Sequence, residues 1–432
     1  MRLGRSASHS TGSAAARWAS VPNQILAILC LMYFTLYIDR VNIATVGPRM
    51  TTELGLTNTQ FGLAISAFSY PYALMQLLGG QATDRFGSWA VLLVCGAMVC
   101  ATTVCTGLVG GVASLFALRL MLGISEGFAF PAATRAIATW LPPTRWARAQ
   151  GITHAAARLG NALTPPFLVG LMSLVSWRGS FVVLGLASAG WVILWAIVAR
   201  KSPSQHPGMS EVELRELSVA GDAGTSPHIS WWQLARRMAP VTAVDFCYGW
   251  TLWVFLTWLP SFFVKNYDLD LAHSALFSGG ILLGGVVGDW AGGMISDRIY
   301  RRTKSLQAAR RNVIVIGMAG AFVFLLPVAL WHDLTTVALC LSAAFFFLEL
   351  VVAPIWAIPM DIASQHAATA SGMMNFGFGF AGILSPLVFG ALVDSTGSWS
   401  TPFFASLLLL LVGAGLSFFM RPDRPFEVDR TT

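Results

Sequence analysis

Four charged residues lie within otherwise apolar stretches of the chain and are the first candidates for chemistry. Asp39 and Arg40 are in one stretch, and Arg119 and Glu126 are in another. Arg119 and Glu126 are seven residues apart, nearly two helical turns, so both side chains lie on one side of a helix. A charge at the centre of a bilayer costs at least ~2.5–3.5 kcal/mol, so each of these residues is predicted to have a function.

The four groups suit different tasks. Arginine keeps its proton and binds a carboxylate through its planar fork, so Arg40 is predicted to bind an anionic substrate. A buried carboxyl can exchange a proton, so Asp39 and Glu126 are predicted to carry protons. Arg119 is predicted to pair with whichever acid is ionised. The alternative is two structural ion pairs that join the helices.

Other polar residues in apolar stretches are secondary candidates. Arg158 and His154 are four residues apart and are predicted to reach the same cavity, although His154 is more typical of a hydrogen-bonded packing residue than of a proton relay. Asp289 and Glu349 are expected to pair locally or to line a wet crevice. Four further residues could bind a polyol through hydroxyls, an aromatic wall and an amide: Tyr37, Tyr72, Trp356 and Asn375. The alternative is that the aromatic residues among them only pack, as aromatic residues in membrane helices more often do.

The elements that position these residues are predicted to be membrane helices. Hydrophobic residues make up 55% of the chain and charged residues 11%, against about 25% charged residues in a soluble domain. Apolar runs of roughly 20 residues, the length that crosses a bilayer, recur along the chain. The twelve runs are 25–45, 59–80, 88–108, 111–134, 148–171, 179–199, 241–264, 274–296, 312–330, 335–358, 367–391 and 401–420.

One short motif occurs twice, half a chain apart. Residues 80–85 (GQATDR) and 293–298 (GMISDR) share the pattern Gly-x-x-x-Asp-Arg. This recurrence predicts two related six-helix halves with a site between them, as in transporters. An enzyme is not expected, because the chain has no Walker motif and no metal-ligand cluster. The six cysteines lie within the apolar runs and are expected to be packing residues.

Charge placement predicts the orientation in the membrane. Lysine and arginine concentrate in loops on the side of both termini, such as 298–311, whereas the loops 109–111 and 331–334 have none. Both termini are therefore predicted to be cytoplasmic, and the net charge of +7 reflects topology and not a nucleic-acid partner. The predicted divisions are a tail (1–22), a first half (23–200), a cytoplasmic linker (201–240), a second half (241–420) and a tail (421–432).

The motifs together resemble a known family. Beyond residues 80–87, they are 37–42 (YIDRVN), 119–127 (RLMLGISEG), 177–181 (WRGSF), 258–260 (WLP) and 371–375 (SGMMN). Over about 24–420, the chain resembles major facilitator superfamily transporters of the anion:cation symporter family, which includes bacterial sugar-acid permeases and animal organic-anion transporters. The resemblance implies an all-α membrane fold with twelve transmembrane helices in two pseudo-symmetric six-helix halves.

The resemblance also implies roles for individual residues. Asp39 and Glu126 match the coupling acids, Arg40 matches the substrate-contacting arginine, and Arg119 matches the arginine of the same network. The substrate cavity is implied to include Tyr37, Tyr72, Trp356 and Asn375, with Arg158 standing where the sugar-acid branch has other polar residues. The repeated motif is implied to latch the halves together on the cytoplasmic side, through Gly80, Asp84, Arg85, Asp297 and Arg298.

The expected protein is a proton-coupled symporter that imports a small organic anion by alternating access. A sugar acid (hexonate, hexarate or hexuronate) is the predicted substrate, the proton is the coupling ion, and no other cofactor or metal is expected. The transporter is expected to be monomeric, in the cell (inner or plasma) membrane. An organic-phosphate exchanger would favour a cation in the seventh span, but residues 245–264 contain none. A transporter-like sensor without flux stays open.

Overall fold

The computed structural model describes residues 20–56, 58–218, 230–269, 271–331 and 333–426, which form helices joined by short turns, with no strand. In the first half these helices are α1 (Val21–Leu54), α2 (Asn58–Ser66), α3 (Ser69–Phe86), α4 (Ser88–Thr106), α5 (Val112–Trp140), α6 (Trp146–Leu174) and α7 (Trp177–Val198). A short helix, α8 (Glu211–Ser218), follows. The second half contains α9 (Trp231–Tyr267), α10 (Leu271–Thr303), α11 (Asn312–Leu330), α12 (Leu334–Glu349), α13 (Val352–Ile362), α14 (Ala367–Thr396) and α15 (Phe403–Leu416).

The helices have the properties that a bilayer requires. Lipid offers no hydrogen bonds, so each backbone N–H and C=O must be satisfied within its own segment, as a helix does. Among the described residues, eight helical segments are long and apolar enough to cross a membrane by length and composition. Each of the twelve predicted spans coincides with one helix or two consecutive helices, so the all-helical membrane fold is confirmed. Large apolar side chains such as Leu108, Leu174 and Leu276 are exposed, where lipid would surround them.

Two of the spans are interrupted near the middle. The second span consists of α2 and α3, which are separated at Ala67 and Phe68. The tenth span consists of α12 and α13, which are separated at Leu350 and Val351. A proline follows each interruption, and Pro71 and Pro354 lack the N–H that would donate to the carbonyl oxygen four residues earlier, while the backbone stays in the helical region. Here Phe68 and Glu349, at or beside the two interruptions, both contact buried arginines, as described below.

The halves pack against each other mainly through four pairs of helices. These pairs are α3 with α14, α6 with α10, α6 with α13, and α5 with α14. The end of the bundle at which α1 begins is called the terminal face here. Arg145 donates a hydrogen bond to Asn23 there, and Arg237 donates to the carbonyl oxygen of Met420 at 2.8 Å. The N-termini of α6 and α14 also lie at this face, which is where the halves are in contact.

The connection between the halves is partly helical. Ser210 is the N-cap of α8: the Glu213 N–H donates to Ser210 Oγ at 3.2 Å, and the Ser210 N–H donates to Glu213 Oε2 at 2.9 Å. Helix α9 begins at Trp231, so the end of the predicted linker (201–240) continues into the first span of the second half. Residues 1–19, 219–229 and 427–432, which include most of the first predicted tail and half of the second, lie outside the described residues.

Candidate substrate and coupling site

An ion pair between Arg40 and Glu126 lies inside the first half. Arg40 Nε and Nη2 both donate to Glu126 Oε2, at 3.0 and 2.5 Å. The Glu126 side chain is fully buried and that of Arg40 is 10% exposed. The second carboxylate oxygen, Oε1, has no hydrogen-bond partner among the described residues. The structure thus joins the predicted substrate-binding cation to a predicted proton carrier, with α1 and α5 supplying one residue each.

Four aromatic rings surround the Arg40 guanidinium and are called the aromatic cage here. Its Cζ atom lies 4.7 Å from the ring centroids of Tyr37 and Tyr72, 5.0 Å from that of Phe68 and 5.5 Å from that of Phe130. Tyr37 precedes Arg40 by three residues on α1, so their side chains are neighbours on one helix face. Cation–π attraction and close packing hold the guanidinium in place without neutralising it. The cage therefore keeps a cation available for an anion.

Asp39 and Arg119 lie near this pair but are not part of it. Successive residues of a helix point about 100° apart, so Asp39 faces away from Arg40. Its Oδ2 accepts a hydrogen bond from Ser188 Oγ of α7 at 2.7 Å. Arg119 is buried with its Cζ 5.2 Å from the Phe68 ring, and no carboxylate of the described residues lies within ion-pair distance of it. Thus Arg119 pairs with neither acid in this conformation.

Other predicted cavity residues lie at the interface of the halves. Asn375 Nδ2 of α14 donates to the Tyr72 hydroxyl at 3.3 Å. The Trp356 ring of α13 packs 6.3 Å from the Phe130 ring and 5.1 Å from the His154 ring. His154 Nδ1 is 2.9 Å from the Gln150 carbonyl oxygen, one turn earlier on α6. The predicted aromatic wall and amide therefore adjoin the aromatic cage, from the opposite half.

Arg158 connects the two halves through a second buried network. Its Nε is 3.1 Å from Glu349 Oε1 and 3.8 Å from Asp289 Oδ2, and its Nη2 donates to the Tyr248 hydroxyl at 3.2 Å. The same hydroxyl donates to Glu349 Oε2 at 3.2 Å. Tyr248 is not conspicuous in the sequence, because tyrosine is common in membrane helices and the partners of Tyr248 are distant along the chain. Nor did any local spacing indicate that Arg158 pairs with Glu349.

The first copy of the repeated motif contacts the second half at the terminal face. Asp84 accepts hydrogen bonds from the backbone N–H groups of Ala368 and Thr369, at 3.3 and 2.8 Å. These N–H groups belong to the first turn of α14, where the helix dipole favours a negative charge. Gly80 allows the approach, since a Cβ at this position would be 2.5 Å from the Ala368 carbonyl oxygen.

The second copy of the motif makes the reciprocal contact. Asp297 accepts a hydrogen bond from the backbone N–H of Arg148, in the first turn of α6, at 2.7 Å. A Cβ at Gly293 would be 2.6 Å from the Ala147 carbonyl oxygen. Each half therefore uses its motif aspartate to cap a helix of the other half. Together, these two contacts are called the latch here.

The cations beside the latch differ from those that the motif predicts. Arg85 and Arg298 are both exposed, and neither makes an ion pair within the described part of the chain. Instead, Arg135 Nε lies 4.0 Å from Asp84 Oδ1, and Arg310 Nη1 lies 3.1 Å from Asp297 Oδ1. Arg135 also donates to the carbonyl oxygen of Ser364 in the other half at 2.6 Å. The motif arginines continue the helices past the contact, so they point to solvent.

A staple at the face opposite the latch explains the motif at 177–181. The Trp177 indole donates to Glu53 Oε2 at 2.5 Å, and Arg178 Nε donates to Glu53 Oε1 at 3.0 Å. Arg178 Nη1 also donates to the Val109 carbonyl oxygen at 2.7 Å. The hydrogen bond from Trp177 is the largest of the effects that lower the pKa of Glu53 below its ordinary value. The end of α1, the start of α7 and the loop before α5 are thereby joined.

Comparison with known proteins is consistent with this architecture. The model of the Major Facilitator Superfamily matches residues 29–386. A protein of Cupriavidus necator named as a probable sulfoacetate transporter is 48% identical over 412 residues, covering 94% of this chain and 96% of its own. The hexuronate transporter of Bacillus subtilis is 28% identical over 391 residues, covering 89% and 92%. The structure of the transporter FucP in its outward conformation superimposes with a TM-score of 0.67 at 14% identity, covering 91% of this chain and 98% of that one.

Proposed function

Because the chain belongs to the major facilitator superfamily, and is therefore a membrane transporter and not an enzyme, we propose that it imports a small organic anion together with protons. The Arg40–Glu126 pair inside the aromatic cage carries this proposal. An arginine cannot give up its proton, so it is suited to an anion. A fully buried carboxylate beside it is suited to exchanging a proton.

Competition between Glu126 and the substrate anion for Arg40 would couple the transport of the anion to that of the proton. With Glu126 ionised, both hydrogen bonds from Arg40 go to Glu126 Oε2. A proton on Glu126 removes the charge that holds the guanidinium, so Arg40 can bind the substrate anion instead. Loss of that proton on the other side restores the pair and expels the anion. Asp39, whose Oδ1 has no hydrogen-bond partner among the described residues, is the second proposed proton carrier.

In this proposal the terminal face is cytoplasmic, in the cell membrane, and the transporter acts as a monomer. The orientation is supported by the basic segment 298–311, which comprises the end of α10 and the connection to α11 at that face. The latch at Asp84 and Asp297 then closes the cytoplasmic side. Alternating access requires that both contacts open before the substrate can leave, so the described conformation precedes release.

The relatives guide the choice of substrates to test. One is named for sulfoacetate, which carries a carboxylate and a sulfonate, and another for hexuronate, a sugar acid with one carboxylate. Arg40 can bind either acidic group, since both present oxygen atoms to a planar fork. The sugar acid predicted from the sequence and the sulfonate are therefore compared in one panel.

The test is uptake into proteoliposomes of labelled sulfoacetate, glucuronate and galactonate, with and without an inward proton gradient. We expect the wild type to accumulate at least one anion against its gradient. Glu126→Gln should abolish gradient-driven accumulation but retain exchange of internal for external anion, because a permanent neutral side chain still frees Arg40. The matched control is Glu216→Gln, an exposed glutamate of helix α8, which should behave as the wild type.

Two results would contradict the proposal. Accumulation that is indifferent to the proton gradient in the wild type would rule out proton coupling. Accumulation that survives in Glu126→Gln would exclude Glu126 as the coupling residue.

A further inference from the structure

The network around Arg158 has features that a purely structural contact does not need. Its four members come from four helices: Arg158 from α6, Tyr248 from α9, Asp289 from α10 and Glu349 from α12. The side chains of the ion-paired members are at most 2% exposed. Glu349 is the last residue of α12, at the interruption of the tenth span. A charged group of one half is therefore held by the other half at membrane depth.

The charges of the network do not balance. It contains one guanidinium and two carboxyl groups, and Asp289 has no hydrogen-bond partner for either oxygen among the described residues. Arg158 Nη1 is likewise without a partner. An uncompensated buried charge is strongly destabilising, so the second carboxyl group of the network has to be neutralised by a proton or by another partner. Of the neighbouring titratable groups, Tyr37 contributes its ring face, and His154 is engaged with Gln150 and Trp356.

Arg158 lies close to the first anion-binding residue. The centroid of the Tyr37 ring is 4.7 Å from Arg40 Cζ and 5.6 Å from Arg158 Cζ, so these two carbons are at most 10.3 Å apart, the sum of the two distances. A bridging substrate needs one charge-assisted hydrogen bond of about 2.8 Å to each guanidinium group. These two hydrogen bonds, together with the Cζ–N bonds of the two arginines, take up most of the distance between the two Cζ atoms. A substrate that bridges both arginines can then have only a short spacer between its two acidic groups.

We propose that Arg158 is a second anion-binding residue and that, together with Arg40, it selects a short dianion. This inference rests on the proposed function and specifies its substrate. One acidic group of the substrate replaces Glu126 at Arg40, and the other replaces Glu349 at Arg158. Glu349 takes up a proton in exchange, as Glu126 does in the proposed function, and keeps its hydrogen bond with Tyr248 as a neutral acid. Since the Arg158–Glu349 contact joins the halves, its exchange for substrate also alters the interface that must move.

The test measures binding to the purified transporter in nanodiscs by calorimetry. The ligands are sulfoacetate (short dianion), methanesulfonate (short monoanion), glucarate (long dianion) and glucuronate (long monoanion). We expect the wild type to bind sulfoacetate at least about tenfold more tightly than the other three, since a second charge-assisted contact is gained. The double variant Arg158→Gln/Glu349→Gln removes one charge of each sign, so its buried charge balance is unchanged. It should lose that preference and bind methanesulfonate as the wild type does.

A single variant provides an independent measurement. Glu349→Gln leaves Arg158 without its strongest competitor, so sulfoacetate should bind about three- to tenfold more tightly, with the affinity for methanesulfonate unchanged. If the double variant loses the same affinity for monoanions and dianions, Arg158 has a structural role and does not bind the second acidic group, which would overturn the inference. An unchanged dianion affinity in both variants would overturn it too. If only the role of Arg158 in anion binding is wrong, gradient-driven uptake will still depend on Glu126. If the proposed function is wrong, that dependence will be absent as well.

Discussion

Replacing Asp84 with asparagine should open the latch. In the wild type the carboxylate accepts hydrogen bonds from the N–H groups of Ala368 and Thr369, and its side chain is 7% exposed. Asparagine keeps one oxygen in place but loses the charge. Hydrogen bonds to a charged group contribute about 1.5–3 kcal/mol against about 0.5–1.5 for a neutral one, and the lost charge at a helix N-terminus adds about 0.3–1 kcal/mol.

These values place the effect of Asp84→Asn near 2 kcal/mol, or about a 30-fold shift from the closed to the open terminal face. The assay is the distance between spin labels at Phe86 and Arg298, two exposed residues near the terminal-face ends of α3 and α10. The labels are placed in a background in which the six native cysteines are replaced. The fraction of molecules with the longer distance should rise markedly in Asp84→Asn.

Arg85→Gln is the matched control. Arg85 is the next residue in the chain, carries the opposite charge and is exposed, with its Cζ 5.3 Å from the Phe86 ring centroid. To keep the label away from that contact, the control is measured with the first label at Gln81 instead of Phe86. We expect the wild-type distance distribution. An unchanged distribution in Asp84→Asn, or equal opening in both variants, would refute the assignment of the latch to the helix-capping carboxylate.

Two further changes test other contacts. Gly80→Ala should also open the terminal face, because the methyl carbon of the alanine would lie 2.5 Å from the Ala368 carbonyl oxygen. The control is Gly170→Ala, where the added methyl carbon has no atom within 4 Å. Equal spin-label distances in the two variants would refute the steric argument. At the opposite face, the hydrogen bond from Trp177 lowers the pKa of Glu53. The contacts of Glu53 therefore stabilise the fold fully at pH values above the ordinary pKa of a glutamate. This stabilisation is lost as the pH falls through the lowered pKa of the folded protein. The melting temperature of the wild type should therefore exceed that of Glu53→Gln at pH 7 and converge with it in acid, whereas a constant difference would contradict this reading.

Much of the fold was predictable because the bilayer restricts the possibilities. A span must be helical and about 20 apolar residues long, so its position can be read from the sequence with little regard to its neighbours. The interruptions at Phe68 and Val351 have a different signal in the sequence, which is the proline that follows each of them. Pro71 and Pro354 have no N–H to donate to the carbonyl oxygens four residues earlier, at Ala67 and Leu350.

The sequence by itself determined the residues that can do chemistry and the repeat that relates the halves. Arg40, Glu126 and Arg158 are conspicuous because an ionisable group at membrane depth is costly, and that cost depends on the residue type alone. Only the tertiary structure decided their partners. Arg40 takes Glu126 and not its neighbour Asp39, and Arg158 takes Glu349 of the other half, because pairing depends on distances of a few ångströms between helices that are far apart in the chain.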